Sequence, residues 1–431
     1  IEVTGSRIAR RDFTSASPIV SVPGSAFTET GAVSVERVLA QLPQFVPTVT
    51  ATSNNPSNDG QANVSLRGIG IAQTLVLIDG KRLMPSDGRG SVDLNVLPPA
   101  LIESVEVVTG GASAAYGSDA IAGVVNFRLR DEFEGLEVDG GWALTDRGDG
   151  QEYSAGVLAG TSFGDGRGNV VAYLGYSERE QIDQGDRRYT SVPYIHYPGE
   201  TGGFGPDGSF LPGGSAITDD GYAVVFSNPV VFRNLFASYG YPSGSIPYQP
   251  GVGVNADRTV FAFGDGVTPG SVANYRGEID PALANDRALF FNTAPFTALQ
   301  LPLQRVAAFV RGQFELPVGE AYAQALHADY SATRQLAPAD SGILLVPPTN
   351  PYLPPDLALL VASRVNPSVP FRFFARPTVL GPRTAENDRQ LLQATLGLRG
   401  NAFDSWRFDA YVQSGYNERT ERQQGITRMS K

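Results

Sequence analysis

VVTGGASAAYGSDAIAGVVNFRLR, residues 107–130, decides how the rest of the chain is read. Between Thr109 and Gly123 nearly every side chain is small, and then a β-branched strand begins. A soluble core is ordinarily stabilised by burying large apolar side chains, at about 25 cal/mol for each Å² removed from water. Gly, Ala and Ser supply little such area; they permit close backbone approach and tight turns instead. Taken alone, the tract also reads as a Gly-rich surface loop. Its neighbours have to decide.

Upstream, short helical and extended signals are mixed. SVERVLAQLP (34–43) spaces Val35, Val38, Leu39 and Leu42 along one helical face, with Ser34 as candidate cap. TLVLIDGKRL (74–83) is two short β runs about Asp79-Gly80, a hairpin signal. PPALIESVEVVTG (98–110) opens on prolines suited to a first helical turn and ends as a strand. Residues up to about Arg130 are expected to form a small α+β domain.

Beyond Glu134 the pattern becomes strict alternation. Leu136, Val138, Trp142 and Leu144 share a face opposite Glu137 and Asp139. Val306, Ala308, Val310, Phe314 and Leu316 oppose Arg305, Arg311, Gln313 and Glu315. Tyr322, Leu326, Ala328 and Tyr330 oppose His327, Asp329 and Ser331. Trp406, Phe408, Val412 and Tyr416 oppose Arg407, Asp409, Gln413 and Asn417. About seven strands are expected, at 135–145, 152–163, 169–179, 303–316, 321–334, 388–400 and 405–418. Roughly ten residues is the length of a tilted transmembrane strand, and Tyr322, Tyr330, Trp406 and Tyr416 suit an interfacial aromatic girdle.

A soluble sandwich alternates as well. The connections separate the two readings. Short turns at 164–168, 317–320 and 400–404 alternate with long connections at 179–303 and 335–387, which puts every long loop at one end. Outer-membrane barrels are built this way. The expected fold class is a membrane β-barrel of antiparallel transmembrane strands preceded by an α+β domain.

Composition bounds the function. Lys+Arg 33 against Asp+Glu 44 gives a net charge of −11, which argues against a nucleic-acid partner. With no cysteine there is no disulfide, thiolate metal site or Cys nucleophile. His196 and His327 lie too far apart in sequence to suggest a His-rich metal site. No G-x-S-x-G or H-E-x-x-H grouping is present, so no catalytic residue, metal or cofactor is expected and the chain does not read as an enzyme. Acidic Gly-rich runs at 146–150, 164–166 and 218–221 lack calcium-loop spacing and read as turns. The chain begins at Ile1 without Met, so a removed leader is expected.

The opening stretch resembles the end of the plug domain of TonB-dependent outer-membrane transporters. The matching residues are Ser104, Glu106, Val107, Gly110, Tyr116, Gly117, Gly123, Val125, Asn126 and Phe127. VSLRG (64–68) and LVLIDG (75–80) resemble two further plug motifs in the expected order. IEVTGSR (1–7) resembles the Ton box, which pairs strand to strand with the energy-coupling protein TonB; Ile1–Thr4 as a first plug strand is the plainer alternative. GPRTAENDRQLLQATLGLRG (381–400) and NPYLPPDLA (350–358) resemble barrel segments of a Gly- and Asn-rich subgroup.

The resemblance implies residues 1–7 as Ton box, 8–130 as plug and 131–431 as the N-terminal part of a barrel. That barrel would be 22-stranded when complete, with about seven strands encoded here and the remainder in a missing or separate segment. It implies a bacterial outer membrane location among lipid and lipopolysaccharide. TonB, with its inner-membrane energising complex, would drive import of a siderophore-like chelate, vitamin or oligosaccharide. A structural, adhesive or partner-binding subunit without transport is the alternative.

Candidate TonB-binding residues are Ile1, Glu2, Val3, Thr4 and Gly5. Candidate plug–barrel contacts are Arg67, Lys81, Arg82, Glu103, Glu106 and Arg128. Many relatives carry an arginine where this chain has Thr109, pairing with wall carboxylates, so a latch reduced to Arg67 with Lys81 and Arg82 is expected. Candidate ligand contacts are Met84, Ser86, Asp87 and Arg89 at a plug apex, with Tyr189, Tyr194, His196 and Tyr197 in the first long connection. Loop aromatics also commonly pack only on one another.

Overall fold

The computed structural model describes residues 19–426, apart from 32, 55–59, 110–111, 193, 197–203, 207–214, 218–226, 250, 264–269, 278–290, 340–343, 375, 377 and 403–405. The chain divides into two units. The first holds the N-terminal residues through Ile182 together with Ala298–Arg334 and Ala385–Arg422.

Within it, an N-terminal domain carries strands β1 (Ile19–Pro23), β2 (Phe45–Pro47), β3 (Val64–Leu66), β4 (Thr74–Ile78), β5 (Lys81–Arg82), β6 (Ile102–Val108) and β7 (Gly123–Leu129). Five of these form one sheet in the order β1-β6-β7-β4-β5, with β4 and β7 parallel. Asp79 and Gly80 both have positive φ, 49° and 75°, and they close the β4–β5 hairpin as the Asp-Gly pair requires. Helices α1 (Ser25–Thr28) and α2 (Val35–Leu39) cover one face. α2 is shorter than its apolar spacing suggests. Ser34 is its N-cap but makes no capping bond, because its hydroxyl accepts instead from Arg179 of the second sheet.

The small-residue tract now has a place. Ala112, Ala120 and Val124 are buried with Leu75, Leu77 and Val108 on the other face of the five-stranded sheet. A short helix, α3 (Ser113–Tyr116), crosses there. The layer is thin because its side chains are small, and alanine and valine fill it without large interlocking groups.

The second sheet is seven-stranded: β8 (Gly135–Ala143), β9 (Glu152–Phe163), β10 (Gly168–Arg179), β11 (Leu303–Leu316), β12 (Gly319–Leu336), β13 (Arg383–Ala402) and β14 (Trp406–Gln424). Each strand neighbours the next in sequence, so the sheet is an antiparallel meander. Its outer face is apolar and open: Leu136 70%, Val138 72%, Trp142 64%, Leu174 60%, Leu396 66% and Val412 75% exposed. Side chains of this kind left uncovered over several strands suit contact with lipid. The inner face packs on the N-terminal domain, where Leu158, Val171, Phe309, Leu326, Tyr330 and Leu391 join the domain's own core. Among the described residues no helix is long and apolar enough to cross a membrane.

β12 corrects the expectation. Tyr322 and Tyr330, read as girdle residues, are 3% and 1% exposed and face the N-terminal domain with Leu326 and Ala328. Alternation fixes which residues share a face but not which face is inside. Where the wall meets a packed domain rather than water, its inner face can be apolar too.

The long connections expected as loops fold instead. The second unit comprises Asp183–Thr297, Gln335–Thr384 and the C-terminal residues from Gln423. Strands at 215–217, 252–254, 260–263, 272–273, 344–346 and 371–374 build one six-stranded sheet from both connections. Helices α4 (Pro229–Ser238) and α5 (Pro355–Ala362) share a core with it through Phe232, Phe236, Leu357 and Leu360. Asn228 caps α4 by accepting from Val230 N at 2.9 Å. Hydrophobic residues split between two connections carry no single periodicity that a linear reading detects.

Candidate functional site

The seam between the N-terminal domain and the inner face of the second sheet is where buried charge collects. Arg311 on β11 is 4% exposed; its Nη1 reaches Asp79 Oδ2 at 3.2 Å and its Nη2 reaches Asp131 Oδ2 at 3.3 Å. Arg305, six residues away on the same face, donates to the carbonyls of Asn95 at 3.0 Å and Val33 at 3.1 Å. Arg179 on β10 donates to Leu301 O at 2.9 Å and to the Ser34 hydroxyl. Arg389 on β13 donates to Ser86 O at 3.2 Å. Tyr330 donates to Asp93, whose other oxygen accepts from the amides of Ala62 and Asn95, both at 3.0 Å.

The latch thus runs opposite to the expectation. Its guanidinium groups stand mainly on the wall and its carboxylates on the domain. Arg67 turns inward and donates to Ala122 O at 2.8 Å. Arg82 pairs with Asp119 of its own domain, and Glu106 is buried against Asn126 Nδ2 at 3.2 Å. Glu103 is exposed and Arg128 partly buried; both line a cavity of about 1340 Å³ at the end of the short turns. Arg37–Glu152 at 2.5 Å and Lys81–Asp409 at 3.8 Å keep the expected polarity. Sequence alone gives an inward arginine on β11 no partner. The signal that could have found one is Asp79, a turn residue whose carboxylate is left over once the hairpin is made.

The neutral contacts lie on the β13–β14 side. Gln413 donates to Arg82 O at 2.8 Å, Gln393 accepts from Met84 N at 2.7 Å, and Asn417 donates to Pro85 O at 3.2 Å. Met84, read as a ligand contact, lies against the wall at Gly415, where a Cβ would meet its sulfur. Ser86 and Asp87 are engaged within the plug: the Ser86 hydroxyl donates to Gln61 Oε1 at 2.7 Å, and Asp87 accepts from Arg89 N at 2.9 Å. Arg89 ion-pairs with Asp87 at 3.1 Å and is otherwise well exposed. Tyr189 is 77% exposed in the second unit. Tyr194 and His196 lie on a strand at 194–196, while Tyr197 and the Ile1–Gly5 segment fall outside the described residues.

Burial sets the ionisation of the domain's seam carboxylates. It raises Asp93, against the opposing pull of Arg389 and of its amide donors. Glu36 is raised by burial too, opposed by Arg179, and neither of its carboxylate oxygens has a hydrogen-bond partner. Because its folded-state pKa lies above the unfolded value, its ionisation opposes folding above the raised pKa. That penalty is relieved as pH falls toward the ordinary carboxylate range. Glu36→Gln is therefore expected to flatten the rise in stability on acidification over that window, read as melting temperature against pH in detergent. Identical pH profiles for the two proteins would refute the assignment.

Residues 11–124 match the model of the TonB-dependent receptor plug domain. The chain carries a TonB-dependent receptor plug. The N-terminal domain thus corresponds to that plug, and an antiparallel sheet with an open apolar outer face follows it in the chain.

Solved structures similar to the chain include receptors and a transporter. A variant of the ferric enterobactin receptor PfeA of Pseudomonas aeruginosa, in complex with enterobactin, is 14% identical with a TM-score of 0.39, over 94% of this chain and 50% of its own. The siderophore receptor PirA of Acinetobacter baumannii is 15% identical with a TM-score of 0.38, over 93% and 48%. The unliganded ferric citrate transporter FecA is 12% identical with a TM-score of 0.40, over 95% and 48%. The chain spans about half the length of these receptors.

Proposed function

We propose that the protein imports an external small-molecule ligand across the outer membrane through a plugged barrel, energised by TonB acting on Ile1–Gly5. Residues 1–7 serve as the Ton box, 8–130 as the plug and 131–431 as part of the barrel with its outer elements. The observation that carries this reading is a plug held to a lipid-facing wall by buried but separable polar contacts. The seam also holds an apolar core shared by plug and wall, but the ion pairs and single hydrogen bonds beside it can be exchanged for water during movement. The ligand is of the class taken by energised receptors, a siderophore-like chelate, vitamin or oligosaccharide, and the exposed Arg89 of the plug is proposed to meet it.

Deleting residues 1–5 from the full receptor is expected to abolish energised uptake while leaving ligand binding at the cell surface intact. Uptake that persists after the deletion removes the TonB-driven reading. Adhesion or partner binding without transport would be indifferent to the same change.

A further inference from the structure

Lys81 is held by aromatic rings as well as by a carboxylate. Its Nζ lies 4.6 Å from the centre of the Tyr322 ring, 5.3 Å from that of Tyr411 and 3.8 Å from Asp409 Oδ2. It also reaches Asp79 O at 3.4 Å. The lysine belongs to the plug, whereas Tyr322 stands on β12 and Tyr411 and Asp409 stand on β14. Two aromatic rings and a carboxylate converging on one ammonium make an aromatic cage, the arrangement that recognises alkylammonium groups.

The cage is built independently of its occupant. The Tyr322 hydroxyl donates to Asp409 Oδ1 at 2.7 Å, which ties ring and carboxylate together across β13. Gly397 on β13 leaves the space that ring needs, since a Cβ there would collide with it. Arg399 lies 5.7 Å from the Tyr322 centre but is tied to Glu320 at 2.8 Å. The occupant, by contrast, sits on β5, a two-residue strand at the edge of the plug sheet. Asp409 and Tyr411 also line the cavity of about 1340 Å³.

We infer that Tyr322, Tyr411 and Asp409 form an alkylammonium-binding subsite on the inner barrel wall. Lys81 fills it while the plug is seated, and it opens to an amine-bearing molecule when Lys81 withdraws. Binding to it is read on purified protein without transport, so its failure would leave the import proposal untouched.

The experiment removes the lysine and returns its lost end. The full receptor carrying Lys81→Ala is titrated in detergent with n-butylammonium, with n-butanol as the neutral comparison, and thermal unfolding is followed. Butylammonium is expected to raise the variant's melting temperature saturably, at least threefold more than it raises the wild type's, and butanol is not. Adding Asp409→Asn or Tyr411→Leu is expected to weaken that binding at least tenfold. An equal shift in wild type and variant, or one untouched by Asp409→Asn, overturns the assignment.

These 431 residues contain no cysteine, and in a receptor otherwise free of cysteine a second arm serves should Lys81→Ala fail to fold. Lys81→Cys is labelled with aminoethyl methanethiosulfonate, which restores a tethered ammonium, or with neutral methyl methanethiosulfonate. Recovery of stability with the cationic label alone supports the cage. Equal recovery with both overturns it.

Discussion

Replacing Arg311 with methionine is expected to destabilise the seated plug by about 3–5 kcal/mol, the cost of removing one partner from a buried ion pair. The guanidinium is nearly inaccessible and its two terminal nitrogens serve two carboxylates, Asp79 and Asp131. Removing it leaves the nearly buried Asp79 carboxylate facing an apolar side chain with little water to solvate it, whereas Asp131 keeps partial access to solvent. Asp79 cannot swing away, because it holds positive φ in the hairpin turn and its other oxygen accepts from Leu129 N at 3.1 Å. Hydrogen exchange of the plug amides should rise first at Leu129 and along the β4–β5 hairpin.

The pH dependence of that loss has a definite sign. Burial already raises the Asp79 carboxyl, with Arg311 opposing. Without the arginine it rises further, and the penalty for ionising it applies above its folded-state pKa. The variant's deficit should therefore shrink as pH falls toward the ordinary carboxylate range. Combining Arg311→Met with Asp79→Asn and Asp131→Asn should restore most of the stability at neutral pH, since a matched neutral set replaces the pair without stranding a charge. A single variant as stable as wild type at neutral pH would show that the seam does not depend on this contact.

Legibility in the sequence divides along physical lines. The seven wall strands were readable because period-2 alternation is a local property, and the observed β9, Glu152–Phe163, coincides with its expected span. β13 runs longer, Arg383–Ala402 against an expected 388–400, because its polar first residues lie beyond the apolar stretch that marked it. The Asp-Gly hairpin was readable because few residues tolerate its dihedral angles. What stayed hidden was partnership across long sequence separation. Asp79 and Arg311 are 232 positions apart and leave no local trace of their contact, and neither do the β12 and β14 residues that converge on Lys81. The phase of β12 was hidden for a related reason. Its apolar stripe faces another protein layer, and a stripe carries no mark of what covers it.

The second large effect is expected at Gly123, where the opening tract turns into β7. Its φ is +137°, a conformation that side-chain-bearing residues rarely adopt. A Cβ there would collide with the Val108 carbonyl oxygen and lie 2.9 Å from Leu66 Cδ1. Neither neighbour can yield cheaply. Val108 is paired with Val124 in the β6–β7 ladder, and Gly123 itself is in register with Thr74 of β4 on the opposite side. Backbone strain of about 1–3 kcal/mol and overpacking of about 1–3 kcal/mol then add, so Gly123→Ala should cost about 2–6 kcal/mol.

Gly80 supplies the comparison. It also has positive φ, +75°, but a Cβ would meet nothing within 4 Å, so Gly80→Ala carries the strain without the collision. Plug stability of the two variants, measured side by side by hydrogen exchange, separates conformational need from close approach. If Gly123→Ala is no worse than Gly80→Ala, the small side chains of 109–123 are not there to let strands approach, and the packing explanation for the tract is lost. A markedly larger loss at Gly123 means that the plug trades buried area for proximity at this point, as a thin layer against a sheet requires.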